Sequence, residues 1–187
     1  LADEAGEPGG RITRESSLLG LAAWSRARDY RTYQLAQMGN VDLYMHSRMD
    51  VGEVLAFDAE HTVVATGSTW RRDGVGGSRY APMELSGAAT ILTPDDIMRG
   101  VMPTGRVLIY DVDHFYMGGV LAQHLRSSGC DVALVTALPE ISQWTGLTLE
   151  QPRIVRTLAS AGVAWHVNWT LAQLDERSAT FACSYTD

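Results

Sequence analysis

The stretch from residue 106 to residue 136 constrains this chain most. Val107-Leu108-Ile109-Tyr110 is a continuous apolar run of the length of a buried strand, and residues 131–136 form a second one. Between them a helical stretch from about Tyr116 to Ser128 closes on Gly129, a residue suited to the left-handed position after a helix. Strand, helix and strand in about thirty residues is the pattern of a parallel pair joined by a crossover helix. The pattern then continues. A helix is expected from about Leu149 to Ala161, ending at Gly162, with a strand over 163–167. Residues 170–174 and 180–185 read as paired strands around the polar Asp175-Glu176-Arg177-Ser178.

The first half is less regular. Residues 1–11 read as a loop punctuated by Pro and Gly. Leu21, Trp24, Ala27 and Tyr30 recur at intervals of three, and Leu35 and Met38 extend the stripe, so a helix is expected over 21–38, stopped by Gly39-Asn40. Alternation suits a strand over 41–45, and residues 50–57 are a helical turn or a loop. Thr62-Val63-Val64-Ala65, ended by Thr66-Gly67, reads as a short buried strand. Residues 70–86, rich in Gly, Arg and Pro, suit a linker or an excursion. Thr93-Pro94-Asp95-Asp96 opens a short helix to Met98, with Thr93 as N-cap, Pro94 in the first helical position and Asp96 a loose fit to the capping box, whose usual residue there is Glu or Gln.

Composition narrows the function classes. Of 187 residues, 45% are hydrophobic and 20% charged, which leaves room for a core. A formal net charge of −7 argues against a general nucleic-acid binder, which needs clustered Lys and Arg. Cys130 and Cys183 lie far apart and outside any CxxC, so both read as buried free thiols, and no iron–sulfur ligand run is present. Apolar stretches fall short of the ~20 residues of a membrane helix. Leu1 opens on acidic and glycine residues without a basic lead into an apolar stretch, so no signal peptide is read and a cytoplasmic, reducing setting is expected. Without an initiating Met, the chain reads as a fragment.

Three places can carry ligand chemistry. Asp3 with Gly9-Gly10 fits a dinucleotide-binding unit, where an acid after the second strand bonds the adenosine ribose and nearby glycines admit close backbone approach; a surface loop with turn glycines fits equally. Ala65-Thr66-Gly67, small residues at a strand end, permit approach to a cofactor or simply end the strand. The third is Asp111-Val112-Asp113-His114-Phe115-Tyr116-Met117-Gly118-Gly119, between strand and helix. A glycine-rich phosphate turn would stand here, but Asp111 and Asp113 hold its first two glycine positions. Carboxylates repel a pyrophosphate and fill its space, so this unit reads as a nucleotide fold without its nucleotide. A metal site at Asp111, Asp113 and His114 is the alternative, against a plain acidic cap. His46, His61, His124 and His166 are scattered without zinc spacing. The Trp residues read as core and interface anchors, with Trp70 alone placed near a ligand.

Several segments, in order, resemble one family. They are Gly9-Gly10-Arg11-Ile12-Thr13-Arg14-Glu15-Ser16, Arg28-Asp29-Tyr30-Arg31, Val63-Val64-Ala65-Thr66-Gly67-Ser68-Thr69-Trp70-Arg71-Arg72-Asp73-Gly74, Leu92-Thr93-Pro94-Asp95-Asp96, Tyr116-Met117-Gly118-Gly119 and Thr148-Leu149-Glu150. Together they resemble the trimethylamine, dimethylamine and histamine dehydrogenases and related N-methyl amine demethylases. The resemblance implies an α/β chain of two Rossmann-like units, the first (1–92) incomplete at its N-terminus and the second (93–187) degenerate. It implies an ADP, or the ADP half of FAD, near Asp3, Gly9, Gly10, Arg11, Arg48, Met49, Ala65, Thr66 and Gly67. In that family a TIM barrel with FMN and a 4Fe-4S cluster precedes these domains, so no catalytic residue is assigned here and no metal ligand. The parent enzyme would oxidise a small amine and pass electrons to an electron-transferring flavoprotein. The rest of the polypeptide is the first expected partner, with a homodimer left open and neither nucleic acid nor membrane expected. Two other readings stand beside it: the FAD- and NADPH-binding part of a 2,4-dienoyl-CoA reductase-like enzyme, which an intact second glycine fingerprint would favour, and a non-catalytic interaction module.

Overall fold

The computed structural model describes residues 1–83, 85 and 90–186. It divides into two compact units, Leu1–Thr69 and Trp70–Asp187.

In the first unit the described residues form helices α1 (Gly10–Glu15), α2 (Ser25–Gln37) and α3 (Val51–Ala56), with a 3-10 turn at Ala22–Trp24 leading into α2. The helix expected over 21–38 is thus present as turn plus helix. α1 packs against α2 and the 3-10 turn, and Leu18, Leu21 and Glu15 are buried there. The open choice at 50–57 resolves as a helix because Asp50 and Glu53 form a reciprocal box: Glu53 N–H donates to Asp50 Oδ1 at 2.9 Å and Asp50 N–H to Glu53 Oε2 at 2.8 Å. The two strands expected here do not form. Residues 62–65 carry no ladder, and Val63 and Val64 are 88% and 78% exposed. Residues 41–45 contribute one parallel bridge, Ala2 to Tyr44. A β-branched run becomes a strand only when another backbone pairs with it, and no described segment of this unit does so. Residues 1–11 are accordingly part loop, part bridge and part α1.

The second unit holds α4 (Pro94–Met98), β1 (Arg106–Asp111), α5 (Met117–Ser127), β2 (Asp131–Thr136), α6 (Gln151–Ser160), β3 (Ala164–His166), β4 (Trp169–Leu174) and β5 (Ala179–Cys183). A 3-10 stretch, Gln143–Thr148, precedes the helix expected from Leu149, which begins as α6 at Gln151 because Leu149 is left-handed (φ 61). Strands β1, β2 and β3 form a parallel sheet in that order, and β4 and β5 an antiparallel hairpin. The result is a mixed α/β fold with one strand–helix–strand–helix–strand run.

The sheet forms where the sequence offers two buried faces. Val132, Leu134, Val135 and Thr136 of β2 are all buried, so both faces of the central strand are covered. One cover is α5, whose Met117, Leu121 and Leu125 recur at four-residue intervals and are buried; α6 adds Ile154 and Leu158. Each such aliphatic side chain contributes about 1.5–3 kcal/mol on burial. The hairpin packs against β2, and the Tyr110 ring meets Phe181 edge-on at 6.2 Å. Both helices stop at a glycine with positive φ. Gly129 (φ 93) lets Cys130 N–H reach Leu125 O at 3.1 Å, and Gly162 (φ 68) lets Val163 N–H reach Leu158 O at 3.1 Å.

Two further expectations change. Only Cys130 is buried; Cys183, on the two-sided hairpin, is partly exposed, and both are free. None of the five Trp residues is fully buried, and Trp144, Trp165 and Trp169 are 37–42% exposed, so they pack at the margin of the core rather than inside it. The excursion at 70–86 reaches outside the described residues at Glu84 and Ser86. Among the described residues no helix is long and apolar enough to cross a membrane.

Candidate functional site

The first unit gathers part of the expected nucleotide site. Asp3 is half-buried; its Oδ1 accepts Ala5 N–H at 2.9 Å. Its backbone is tied on both sides, Asp3 N–H to Tyr44 O at 3.0 Å and Ser47 N–H to Asp3 O at 2.8 Å, which sets Arg48 and Met49 one step along the chain from the Asp3 loop. Gly9 (φ 125) and Gly10 (φ 48) open α1. They differ in what they face. A Cβ on Gly9 would stand 2.4 Å from Thr13 Oγ1 and 2.6 Å from Arg28 Cδ, whereas one on Gly10 would meet nothing within 4 Å. The room Gly9 leaves is thus used by the chain's own Arg28. Arg11 Nη2 donates to Ser68 O at 2.6 Å and to Ser68 Oγ at 3.1 Å. That bond brings α1 to the end of Ala65, Thr66 and Gly67, which are themselves exposed. Beside this lies an open cleft of about 330 Å³ lined by Pro8, Gly9, Ile12, Arg28, Arg31 and Leu35 among others. Arg28 and Ser68 stand in segments that carry the family resemblance but have no site role from the sequence; the glycine–arginine packing depends on a contact between segments that no local spacing announces.

In the second unit the turn from β1 to α5 is occupied by the protein itself. Asp111 is buried, and its Oδ1 accepts Asp113 N–H at 3.1 Å and His114 N–H at 3.0 Å. Its carboxyl lies over the first turn of α5: a Cβ on Gly118 would stand 2.7 Å from Asp111 Cγ and 2.8 Å from Oδ2. Gly118 is therefore required by the carboxylate, not by a ligand. Burial pushes the Asp111 pKa up to about 6, the neighbouring Asp113 charge adds to the rise, and the two backbone N–H groups oppose it. His114 takes a left-handed conformation (φ 63) and is 1% exposed. Its Nδ1 lies 3.3 Å from Thr136 Oγ1, which also accepts Leu138 N–H at 3.3 Å, the direction of the first bond being set by the imidazole tautomer. Burial lowers the His114 pKa and keeps the ring neutral. Trp144 packs edge-on against it at 5.3 Å. Asp111 Oδ2, His114 Nε2 and Ser142 Oγ are buried without a hydrogen-bond partner. Among the described residues no three side chains assemble as a metal-ion ligand set.

The junction ahead of β1 is electrostatic. Asp96 accepts Thr93 N–H at 2.7 Å, Thr93 Oγ1 at 2.8 Å and Arg72 Nη2 at 2.6 Å. These bonds, the Thr93 N–H first, hold its pKa down to about 2. Trp70 is fixed here through its backbone, its N–H donating to Asp95 Oδ2 at 2.8 Å.

Known proteins place this arrangement. A family profile described as the OYE-like second alpha/beta domain matches residues 92–178. The whole chain superposes on histamine dehydrogenase from Rhizobium sp. 4-9 with a TM-score of 0.94 and 42% identity, covering 29% of that chain. A 6-hydroxypseudooxynicotine amine oxidase from Pseudomonas geniculata N1 matches 98% of this chain at 38% identity and a TM-score of 0.91, over 28% of its own length. Dimethylamine dehydrogenase from Hyphomicrobium sp. (strain x) is 29% identical over 171 residues, which are 87% of this chain and 23% of that protein. The chain spans less than a third of each of these relatives. By sequence and by fold, it is a homologue of the dimethylamine and histamine dehydrogenases over the part of them that it spans.

Proposed function

We propose that this chain is the nucleotide-binding-type region of an FMN- and 4Fe-4S-containing amine dehydrogenase or N-demethylase, the catalytic groups lying elsewhere in the parent polypeptide. The observation that carries this is the whole-chain match to histamine dehydrogenase at 42% identity. On this reading residues 1–92 and 93–187 are two Rossmann-like regions, the first serving a structural ADP and the second degenerate. The parent enzyme oxidises a small amine in the cytoplasm and delivers electrons to an electron-transferring flavoprotein.

The residues present fit an ADP in part. Asp3 keeps one carboxylate oxygen without a partner among the described residues, as a ribose acceptor requires. Gly10 is open to close approach and Arg11 is held toward Ser68. Gly9 supports the site at one remove, by seating Arg28. A reductase-type second unit is disfavoured by the Asp111 carboxyl over α5, where a dinucleotide would need its pyrophosphate.

Asp3→Ala in the complete protein is expected to weaken ADP retention by about 1–3 kcal/mol, the cost of an unmade polar contact. Unchanged ADP content after long dialysis rejects the assignment. The 187-residue chain alone is expected to show neither flavin nor cluster absorbance and no amine-dependent dye reduction. Dye reduction by that chain would relocate the chemistry.

A further inference from the structure

Residues 73–83 form a closed loop within the second unit. Its base is pinned by Met83 N–H donating to Asp73 O at 2.9 Å, and its tip is a tight turn in which Gly76 N–H donates to Arg79 O at 2.9 Å. Ends held together across about eleven residues make an Ω-loop, a compact element with its own packing.

The tip is seated on the rest of the unit. Gly77 N–H donates to Val112 O, just beyond β1, at 2.8 Å. A Cβ on Gly76 would stand 2.6 Å from Val112 Cβ and 2.7 Å from Val112 O. One on Gly77 would stand 2.9 Å from Trp144 Cη2 and 3.0 Å from His114 Cδ2. Two consecutive glycines therefore let backbone lie directly on the β1–α5 turn, which larger residues would prevent. In open α/β sheets ligands enter at the carboxyl ends of the strands, and the tip covers that end of β1. His114, 1% exposed, lies beneath it with Nε2 unpartnered.

We propose that residues 73–83 are a built-in lid on the crevice at the carboxyl end of β1, so that the second unit is closed to dinucleotides sterically as well as by the Asp111 charge. The proposal rests on reading this unit as Rossmann-like. Removing the charge alone then leaves the crevice shut, and lifting the tip bares the His114 imidazole and the edge of Trp144.

Hydrogen exchange and modification by diethyl pyrocarbonate test the seating in the unaltered chain. The Gly77 amide is expected to exchange slowly and His114 to resist the reagent, while His61, 85% exposed at its side chain, reacts. Open-chain exchange at Gly77 with ready modification of His114 overturns the lid. Gly77→Val is expected to unseat the tip and speed His114 modification at least about tenfold, as local opening of a single loop does; an unchanged rate overturns it too. Titration with NADH separates the lid from the reading beneath it. The pair Asp111→Gly and Asp113→Gly is expected not to bind until Gly77→Val is added. Equal binding with and without Gly77→Val overturns the lid but leaves the Rossmann-like reading. No binding by the triple variant, once His114 modification shows the tip unseated, leaves the lid in place and overturns that reading. NADH binding by the unaltered chain overturns both.

Discussion

β2 in the second unit and residues 62–65 in the first carry similar apolar, β-branched signals. β2 has a parallel partner on each side, and its Leu134 and Thr136 are 0% exposed. Val63 and Val64 have no ladder and are 88% and 78% exposed. The helices divide the same way: α5 buries Met117, Leu121 and Leu125, whereas no residue of α2 is fully buried. Local propensity is thus present in both units, but only the second converts it into burial. The first is held by backbone bridges, the Arg28–Gly9 packing and capping bonds, with few apolar side chains fully removed from water.

That contrast can be broken at its strongest point. Leu158→Ala, at a position 1% exposed, is expected to cost the second unit about 3–4 kcal/mol in a denaturant titration, as buried Leu truncations do. Val64→Ala in the first unit should stay within about 0.5 kcal/mol. Similar losses from both would end the distinction.

The next effect sharpens it by charge. Asp111 binds its proton more tightly folded than unfolded, with a folded pKa of about 6 against an ordinary 3.8. The native state therefore holds the extra proton between those values, and second-unit stability should fall as pH rises from about 4 to about 6, then level off. Asp111→Asn should abolish that slope and, above pH 6, stabilise the unit by about 2–3 kcal/mol. A steeper slope in the variant would mean the carboxylate is stabilised rather than penalised by its burial.

The smallest effect belongs to the first unit. Asp50→Ala removes one half of the α3 capping box and should cost about 1 kcal/mol. It should be read as lost amide protection confined to Val51–Ala56. Loss of protection spreading to β1 or β2 would show that the units do not unfold separately.

Much of the second unit was legible because its signals are local and agree with one another. The bounds of β2 are those expected, and Thr93, Pro94 and Asp96 act as their positions suggest. The first unit was read as strand wherever β-branched residues clustered, and that failed because pairing is a property of two segments. The candidate site divides likewise. The Asp111 carboxylate could be placed at the phosphate turn from its distance past an apolar run. The packing of Arg28 on Gly9, and of Gly76 and Gly77 on Val112 and His114, could not, since each joins residues that sequence spacing leaves unrelated. The Gly76-Gly77 pair is the available signal for the second of these, and it suits an excursion as well as a linker without saying what the excursion packs on.

The register of the parallel sheet also bears on how the chain acquires its structure. Arg106 faces Asp131 and Ala133 faces Ala164, so each pairing is closed by a single intervening crossover rather than by distant chain. Closure entropy grows only slowly with loop length, so such crossovers cost little more than shorter ones, although parallel pairing is itself slower than hairpin formation. The sheet can nucleate from one contiguous stretch, during synthesis or on dilution from denaturant, without waiting for the first unit. Stopped-flow refolding should show the amides of β1 and β2 protected before any in α2.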